Sequence, residues 1–389
     1  MILTSDRRQS AQGFLQSLAF LMAIVGVRVG YAQPFFIGGY GEGIYASKLN
    51  KDGSMAEPVL IAKQDNPSFF CFHPKLGVLY VVTETPRNDS SSPAAVVAYQ
   101  VDREAFFINK TPPLQVINSQ RIDGDIPCHV TTDSAGKCLV VANYSSGSVV
   151  VFPIAEDGSI QPESCNMVHK VEAGKKRSNG HCSVVAPGDQ WTLVADLGND
   201  RIYIYALDTI HGKLTPAPTP SFELPAGSGP RHLSFHPNKK FVYIINETNM
   251  TMTAASWNNN TGELATINHA STLPPNHVGE NLSTAEVLVH PNGRFVYGSN
   301  RGHDTIVAMS VDLKTGAIQR IDNYSTLGKT PRNFRLDPSG VSLLAENQNS
   351  DSIHSFNVDV ESGALKATGK SISVKAPACI RFLNEEILK

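Results

Sequence analysis

The segment GSGPRHLSFHPNKKFVYIINET, which runs from Gly227 to Thr248, has the pattern of two short β-strands around a tight turn. The runs LSF and FVYII are rich in the β-branched and aromatic residues that strands favour. His236, Pro237 and Asn238 lie between them and have the composition of a turn. The segment therefore predicts a β-hairpin with polar residues at both of its open ends.

The hairpin pattern recurs along nearly the whole chain. Copies of its first strand begin at seven positions, Pro67, Pro127, Gly180, Pro230, Thr284, Pro331 and Pro377. Neighbouring copies begin 46 to 60 residues apart, and each interval carries about four short strand patterns and no helical stretch. This period predicts an all-β fold, a seven-bladed β-propeller with four-stranded antiparallel blades.

The two ends of the chain are predicted to complete one blade together. FFIGGY, GIYASKL and PVLIAK supply three strands with no first strand before them, and the C-terminal PACIRFL supplies a first strand with nothing after it. Such sharing closes the ring and leaves no unpaired sheet edge. A hydrophobic content of 41% is ample for one core, so residues 33–389 are predicted to form a single propeller domain.

Residues 1–32 have the pattern of a targeting segment. Arg7 and Arg8 precede a largely apolar run from Phe14 to Val27, which is short for a membrane span. This favours a cleaved secretory signal peptide over an uncleaved anchor. It predicts a secreted or periplasmic protein with no membrane association after cleavage.

Charge and cysteine content exclude some classes of partner. The formal net charge of −2 gives no basic footprint for nucleic acid. The six cysteines allow three disulfides or free thiols, and no Cys/His spacing suggests zinc. Four of the cysteines fall on predicted innermost strands, which favours buried free thiols; these are Cys71, Cys128, Cys182 and Cys379.

The repeat also predicts where a functional site lies, because the first strand of each blade lines the central channel. The residues that open these strands are Ser68, Cys128, His181, Arg231, Ala285, Arg332 and Ala378. The residues that close the second strands are Glu84, Tyr144, Leu197, Glu247, Arg301 and Gln348. Both sets are expected at one end of the channel. The position before the second set is nearly uniform, which favours a structural capping role; it holds Thr83, Asn143, Asp196, Asn246, Asn300 and Asn347.

Four of the variable residues form a chemically suggestive group: His181, Arg231, Glu247 and Arg301. Guanidinium groups bind anions and can stabilise an oxyanion, while histidine and glutamate can transfer a proton. These four are the predicted catalytic residues, and the alternative is that each is a solvated or salt-bridged residue at a strand end. The residues predicted to contact substrate are Arg332, His232, Gln348 and Asn300.

At these positions the chain resembles the seven-bladed propeller lactonases, which include 6-phosphogluconolactonase and the fungal 3-carboxy-cis,cis-muconate lactonizing enzyme. The resemblance covers nearly everything after residue 32. It is carried by NGHCSVVAPGDQWTLVADLGNDRI, GSGPRHLSFHPNKKFVYIINE, AEVLVHPNGRFVYGSNRGHDTI and PRNFRLDPSGVSLLAENQNSDSI. In the lactonizing enzyme a histidine, two arginines and a glutamate are the proposed active-site residues. By motif position they correspond to His181, Arg231, Arg301 and Glu247.

The resemblance implies acid–base chemistry on a small, anionic lactone, with no cofactor and no metal. Hydrolysis of a sugar lactone is the favoured reaction. A signal peptide would separate the protein from the cytosolic pool of phosphorylated gluconolactone, so another sugar lactone is also considered. Two alternatives keep the fold: a carboxymuconate-type cycloisomerase and a non-catalytic exported binding propeller. A calcium-dependent lactonase is disfavoured because Glu84, Glu247 and Asp196 are scattered.

Overall fold

The computed structural model describes residues 32–107, 110–277 and 279–383. These residues form seven antiparallel sheets of four strands each, so the predicted seven-bladed β-propeller is confirmed. The predicted signal peptide lies outside the described residues except for Ala32. No helix among the described residues is long and apolar enough to cross a membrane.

The blades follow one another along the chain. Blades 2 to 7 each begin at the channel with their innermost strand, whereas the innermost strand of blade 1 is β28. Blade 1 contains β28, β1, β2 and β3, and blades 2 to 7 contain β4–β7, β8–β11, β12–β15, β16–β19, β20–β23 and β24–β27. The strands are β1 (Gln33–Gly39), β2 (Gly43–Leu49), β3 (Val59–Lys63), β4 (Phe70–Phe72), β5 (Val78–Thr83), β6 (Ala95–Gln100), β7 (Gln115–Arg121), β8 (Pro127–Thr132), β9 (Cys138–Asn143), β10 (Ser148–Pro153), β11 (Cys165–Val168), β12 (Gly180–Val185), β13 (Trp191–Asp196), β14 (Arg201–Asp208), β15 (Lys213–Glu223), β16 (Pro230–Phe235), β17 (Phe241–Asn246), β18 (Thr251–Asn258), β19 (Glu263–Ser271), β20 (Ser283–Val289), β21 (Phe295–Arg301), β22 (Thr305–Val311), β23 (Ile318–Ser325), β24 (Pro331–Leu336), β25 (Ser342–Asn347), β26 (Ser352–Val358), β27 (Leu365–Ser373) and β28 (Pro377–Phe382).

The ring closes as the sequence predicts. The last strand, β28, pairs antiparallel with β1, and the register places Phe35 opposite Phe382 and Ile37 opposite Ile380. All four of these side chains are buried. The two ends of the propeller are therefore joined by both backbone hydrogen bonds and apolar packing.

The turn that recurs in the repeat forms hydrogen bonds between neighbouring blades. In the hairpin between β16 and β17, His236 Nδ1 accepts a hydrogen bond from the Asn238 N–H, so Nε2 carries the proton and donates to the Gly293 carbonyl at 2.9 Å. Gly293 has a φ of 74°, and a Cβ there would lie 2.7 Å from the imidazole. Tyr243, fully buried, donates from its hydroxyl to the Gly316 carbonyl at 3.2 Å. The repeated residues thus form contacts between blades.

One short helix, α1 (Arg103–Phe107), interrupts the all-β pattern between β6 and β7. The sequence pattern predicts no helix here. The helix forms because the Asp102 carboxylate caps its first turn and accepts a hydrogen bond from the Ala105 N–H at 3.0 Å. Phe106 then packs against Phe36 with ring centroids 4.9 Å apart. The helix covers an edge of the core.

The six cysteines are all free thiols, as the sequence analysis favoured. Cys128, Cys138, Cys182 and Cys379 are buried, whereas Cys71 and Cys165 are partly exposed. Packing of the blades, and not a set of disulfides, therefore stabilises the described part of the chain.

A β-bulge opens six of the seven innermost strands. In blade 5, Pro230 pairs with Asn246 and His232 pairs with the next residue, Ile245, so Arg231 is the extra residue. A bulge places two successive side chains on the same side of a strand. Two of the bulged strands accordingly place two adjacent residues at the channel, Arg231 with His232 and Arg332 with Asn333.

Candidate active site

A pocket at one end of the channel contains most of the predicted site residues. Its outer part has a volume of ≈ 290 Å³ and its inner part ≈ 10 Å³. The two parts share Glu84, Cys128, His181 and Arg332. Tyr144, Glu247 and Arg301 complete the outer part together with Ile126, and the inner part is completed by Tyr40, Ser68, Phe69, Arg231, His232, Asn333 and Ala378. The inner part has room for about one water molecule.

The structure brings Glu247 together with Arg231 and Arg301. Glu247 Oε2 lies 3.0 Å from Arg231 Nε and 2.8 Å from Arg301 Nη2. Each guanidinium also donates to a backbone carbonyl, Arg231 Nη1 to Ala285 at 2.8 Å and Arg301 Nη2 to Thr284 at 2.7 Å. The two cations are therefore fixed in position, and with Glu247 ionised the group carries one net positive charge.

His181 lies beside this group and is buried at 5% exposure. Its ring contacts Tyr144 and His232, with centroids 5.5 and 5.1 Å away. Burial, followed by the positive charge of Arg231, holds the pKa of His181 well below its usual value. The imidazole is therefore neutral at neutral pH.

Arg332 is a partly exposed cation with unused hydrogen-bond donors. Its guanidinium lies over the ring of Tyr40, 4.9 Å from the centroid. Within the residues that the structure describes, it forms no salt bridge and donates no hydrogen bond. Such a guanidinium can donate hydrogen bonds to an oxygen of a ligand.

Glu84 faces Arg332 from blade 2. The Tyr40 hydroxyl donates to the two Glu84 carboxylate oxygens at 2.9 and 3.0 Å, and Ser68 donates to Oε2 as well. Burial raises the pKa of Glu84, and Arg332 together with the two hydroxyls opposes that shift. The pocket therefore contains two carboxylates in different environments, one between guanidiniums and one held by hydroxyl groups.

Comparison with known proteins agrees with this geometry. The family described as "Lactonase, 7-bladed beta-propeller" matches residues 31–382. The chain belongs to this lactonase family. A 6-phosphogluconolactonase from Bacillus subtilis is 33% identical over 361 residues, which cover 92% of this chain and 99% of the relative.

Further relatives of this propeller lactonase extend the comparison. A 6-phosphogluconolactonase from Formosa agariphila is 30% identical over 78% of this chain and 85% of its own length. The periplasmic gluconolactonase of Pseudomonas aeruginosa has a similar structure, with a TM-score of 0.83, 29% identity and coverage of 90% of this chain and 99% of its own.

Two of the predicted substrate contacts, Asn300 and Gln348, are not among the residues that line the two parts of the pocket. The Asn300 amide is fully buried and donates to the Thr272 carbonyl at 2.9 Å, which favours the structural role over contact with substrate. Gln348 begins a short 3-10 helix, and its backbone N–H donates to the Thr330 carbonyl at 3.0 Å. Arg332 and His232, in contrast, line the pocket.

Sequence reasoning left Tyr40 and Glu286 out of the site of this lactonase-family protein. Tyr40 follows β1, the second strand of the shared blade, and thus has the position that Glu84 and Glu247 have in theirs. In that blade no turn connects the first and second strands, so the repeat pattern does not indicate that Tyr40 is equivalent to Glu84 and Glu247. Glu286 is the second channel residue of its bulged strand and lies against His232, with Oε1 3.0 Å from Nδ1.

No group of three or more His, Cys, Asp and Glu side chains suited to hold a metal ion occurs within residues 32–107, 110–277 and 279–383. The carboxylates of the pocket are each engaged by hydroxyl or guanidinium groups.

Proposed function

We propose that the protein hydrolyses an anionic sugar lactone of the 6-phosphogluconolactone type in this pocket, without a metal ion or other cofactor. One observation carries the proposal: three guanidinium groups, those of Arg231, Arg301 and Arg332, surround one pocket that contains only two carboxylates. The relatives from Bacillus subtilis and Formosa agariphila are named 6-phosphogluconolactonases, which supports this substrate class.

In the proposed reaction the substrate occupies the outer part of the pocket. Arg332 binds the anionic group, because its donors are not engaged by the protein. Arg231 and Arg301 stabilise the negative charge that develops on the carbonyl oxygen when water attacks. His181 and Glu247, as predicted from the sequence, lie within the same pocket and are placed to assist proton movement.

We propose that the protein acts outside the cytoplasm, in the periplasm or as a secreted protein. The pattern of residues 1–32 supports export, and one structural neighbour is a periplasmic gluconolactonase. Unphosphorylated gluconolactone is then a second sugar lactone to test.

The test is lactone hydrolysis by the purified protein, measured as acid release above the spontaneous rate. The substrates are 6-phosphogluconolactone, gluconolactone and a muconolactone, each with and without a chelator. Turnover of a sugar lactone that persists with chelator and is lost in Arg231→Ala supports the proposal. Folded protein that hydrolyses neither sugar lactone contradicts it, and turnover of the muconolactone alone favours the cycloisomerase alternative.

A further inference from the structure

His232 and Glu286 form a buried pair beneath the inner part of the pocket. His232 Nδ1 lies 3.0 Å from Glu286 Oε1, and both side chains are at most 7% exposed. The carboxylate accepts two more hydrogen bonds, from Asn333 Nδ2 at 2.8 Å and from the Val287 N–H at 3.0 Å. Burial alone would raise the pKa of Glu286, but His232 and the nearby cations hold it below its usual value. Glu286 is therefore ionised, and His232 donates its Nδ1 proton to it.

This arrangement leaves Nε2 of His232 as the free ring nitrogen. Nε2 is buried and has no hydrogen-bond partner among the described residues, although an unpaired polar atom in that environment is costly. His232 lines the inner part of the pocket, whose volume of ≈ 10 Å³ suits one water molecule. A water there would satisfy Nε2 and lie below a substrate in the outer part.

We propose that His232, oriented by Glu286, is the general base of lactone hydrolysis and that the inner part of the pocket binds the hydrolytic water. This inference rests on the proposed function. His232 Nε2 takes a proton from the water as the water oxygen forms a bond to the carbonyl carbon. The tetrahedral intermediate then collapses, the bond from that carbon to the ring oxygen breaks, and Nε2 returns the proton to the ring oxygen. The product is the open-chain hydroxy acid, which ionises in solution.

The other candidate bases are less well placed for this step. Glu247 Oε2 already contacts two guanidinium groups, 3.0 Å from Arg231 Nε and 2.8 Å from Arg301 Nη2, so this oxygen is engaged by the protein. His181 Nδ1 has no partner within the described residues, so no carboxylate fixes the orientation or tautomer of its ring. His232 alone among these three has the base-and-orienter geometry of a catalytic dyad.

Burial is the main reason that the pKa of His232 is lowered. Burial lowers the pKa of His232, Glu286 opposes this, and Arg231 and Arg381 lower the pKa further. The imidazoles of His129 and His181 pack against the same ring, with centroids 5.4 and 5.1 Å away. The free base is therefore the main form at neutral pH, as a general base requires.

The experiment compares the full chain with His232→Gln, Glu286→Gln and the matched control His169→Gln. His169 is also a buried imidazole, and its Nδ1 lies 2.8 Å from a carboxylate oxygen of Asp196, but it does not line the pocket. We expect His232→Gln to lower kcat by about 10²- to 10⁴-fold with little change in KM, and His169→Gln to retain the wild-type kcat. Thermal unfolding and binding of the hydroxy-acid product verify that each variant is folded.

The pH profile separates a positioning role of Glu286 from a merely structural one. Because the negative charge of Glu286 raises the pKa of His232, its loss in Glu286→Gln moves the acidic limb of kcat/KM to lower pH and lowers kcat. An unchanged limb, or folded His232→Gln with wild-type kcat, overturns the proposal for the dyad. Absence of sugar-lactone hydrolysis by the wild type instead contradicts the proposed function itself, so the two failures are distinguishable.

Discussion

If the proposed function is correct, replacement of Arg332 by glutamine should abolish a preference for charged over neutral lactones. Arg332 lies at the junction of the two parts of the pocket and forms no salt bridge within the described residues, although Glu84 and Glu247 interact with its charge at longer range. A bound anion therefore does not compete with an internal salt bridge for this guanidinium. The variant removes the charge and the forked donor group but keeps a polar side chain.

The size of the effect follows from the contact that is lost. A hydrogen bond to a charged partner contributes about 1.5–3 kcal/mol, which corresponds to a decrease of roughly 10- to 150-fold in kcat/KM for 6-phosphogluconolactone. Neutral gluconolactone offers only uncharged acceptors to the guanidinium, so its loss should lie at the lower end of this range, about 1.5 kcal/mol or roughly tenfold at most. The preference for the phosphorylated lactone should fall accordingly.

The assay measures kcat/KM for both lactones with wild type, Arg332→Gln and the control Arg294→Gln. Arg294 is an exposed arginine that pairs with Glu361 at 2.7 Å, so its replacement makes the same change in net charge away from the pocket. Equal losses on the charged and neutral lactones would show that Arg332 supports the structure of the pocket and does not bind the anion. A comparable change of preference in Arg294→Gln would assign the effect to overall charge.

Three further predictions concern stability. Glu247→Gln leaves two guanidinium groups without the carboxylate that they share, so it should lower the free energy of unfolding in urea by about 3 kcal/mol. The control is Glu361→Gln, which breaks an exposed salt bridge and should lower the free energy of unfolding by less than about 1 kcal/mol. Tyr243→Phe removes a hydroxyl bonded to the next blade and should cost about 1 kcal/mol in the same assay; no change would show that the contact between blades contributes nothing. Glu346 is fully buried, and burial raises its pKa well above the usual value. The folded state therefore keeps a proton on Glu346 that the unfolded chain releases. Because of this difference, the free energy of unfolding falls as the pH rises from the pKa of the unfolded state toward that of the folded state. Glu346→Gln should therefore raise the Tm at pH 8 more than at pH 4, and an equal change at both would contradict this.

The architecture could be predicted because one hairpin recurs with a nearly constant period. Each blade buries its faces against its neighbours, so the same residue types are required at the same positions in every copy. The period also converts sequence position into spatial position. That is why Arg231, Glu247 and Arg301, which lie on three different strands, could be placed in one pocket before their contacts were known.

The parts of the site that sequence reasoning missed are those where the repeat is incomplete or the chain is irregular. Tyr40 lies in the blade that both termini build, so no turn in the sequence marks its equivalence to Glu84. The hydrogen bonds from Tyr40 to Glu84 join side chains 44 residues apart and depend on the closure of the ring. The α1 helix depends on one capping carboxylate, a local signal too short to stand out within an interval of strands.

The bulge explains why one segment supplies two different functions to the same pocket. In a regular strand successive side chains point to opposite faces, so Arg231 at the pocket would direct His232 into the blade. The extra residue at Arg231 shifts the register, so that both side chains line the pocket while Leu233 still packs in the core between blades. Arg231 then pairs with Glu247 of its own blade, and His232 pairs with Glu286 of the next. The residues proposed to stabilise the developing negative charge and to act as the base, Arg231 and His232, are thus adjacent in sequence but belong to separate charge pairs. This is possible because the bulge places both side chains at the channel while Leu233 remains in the core.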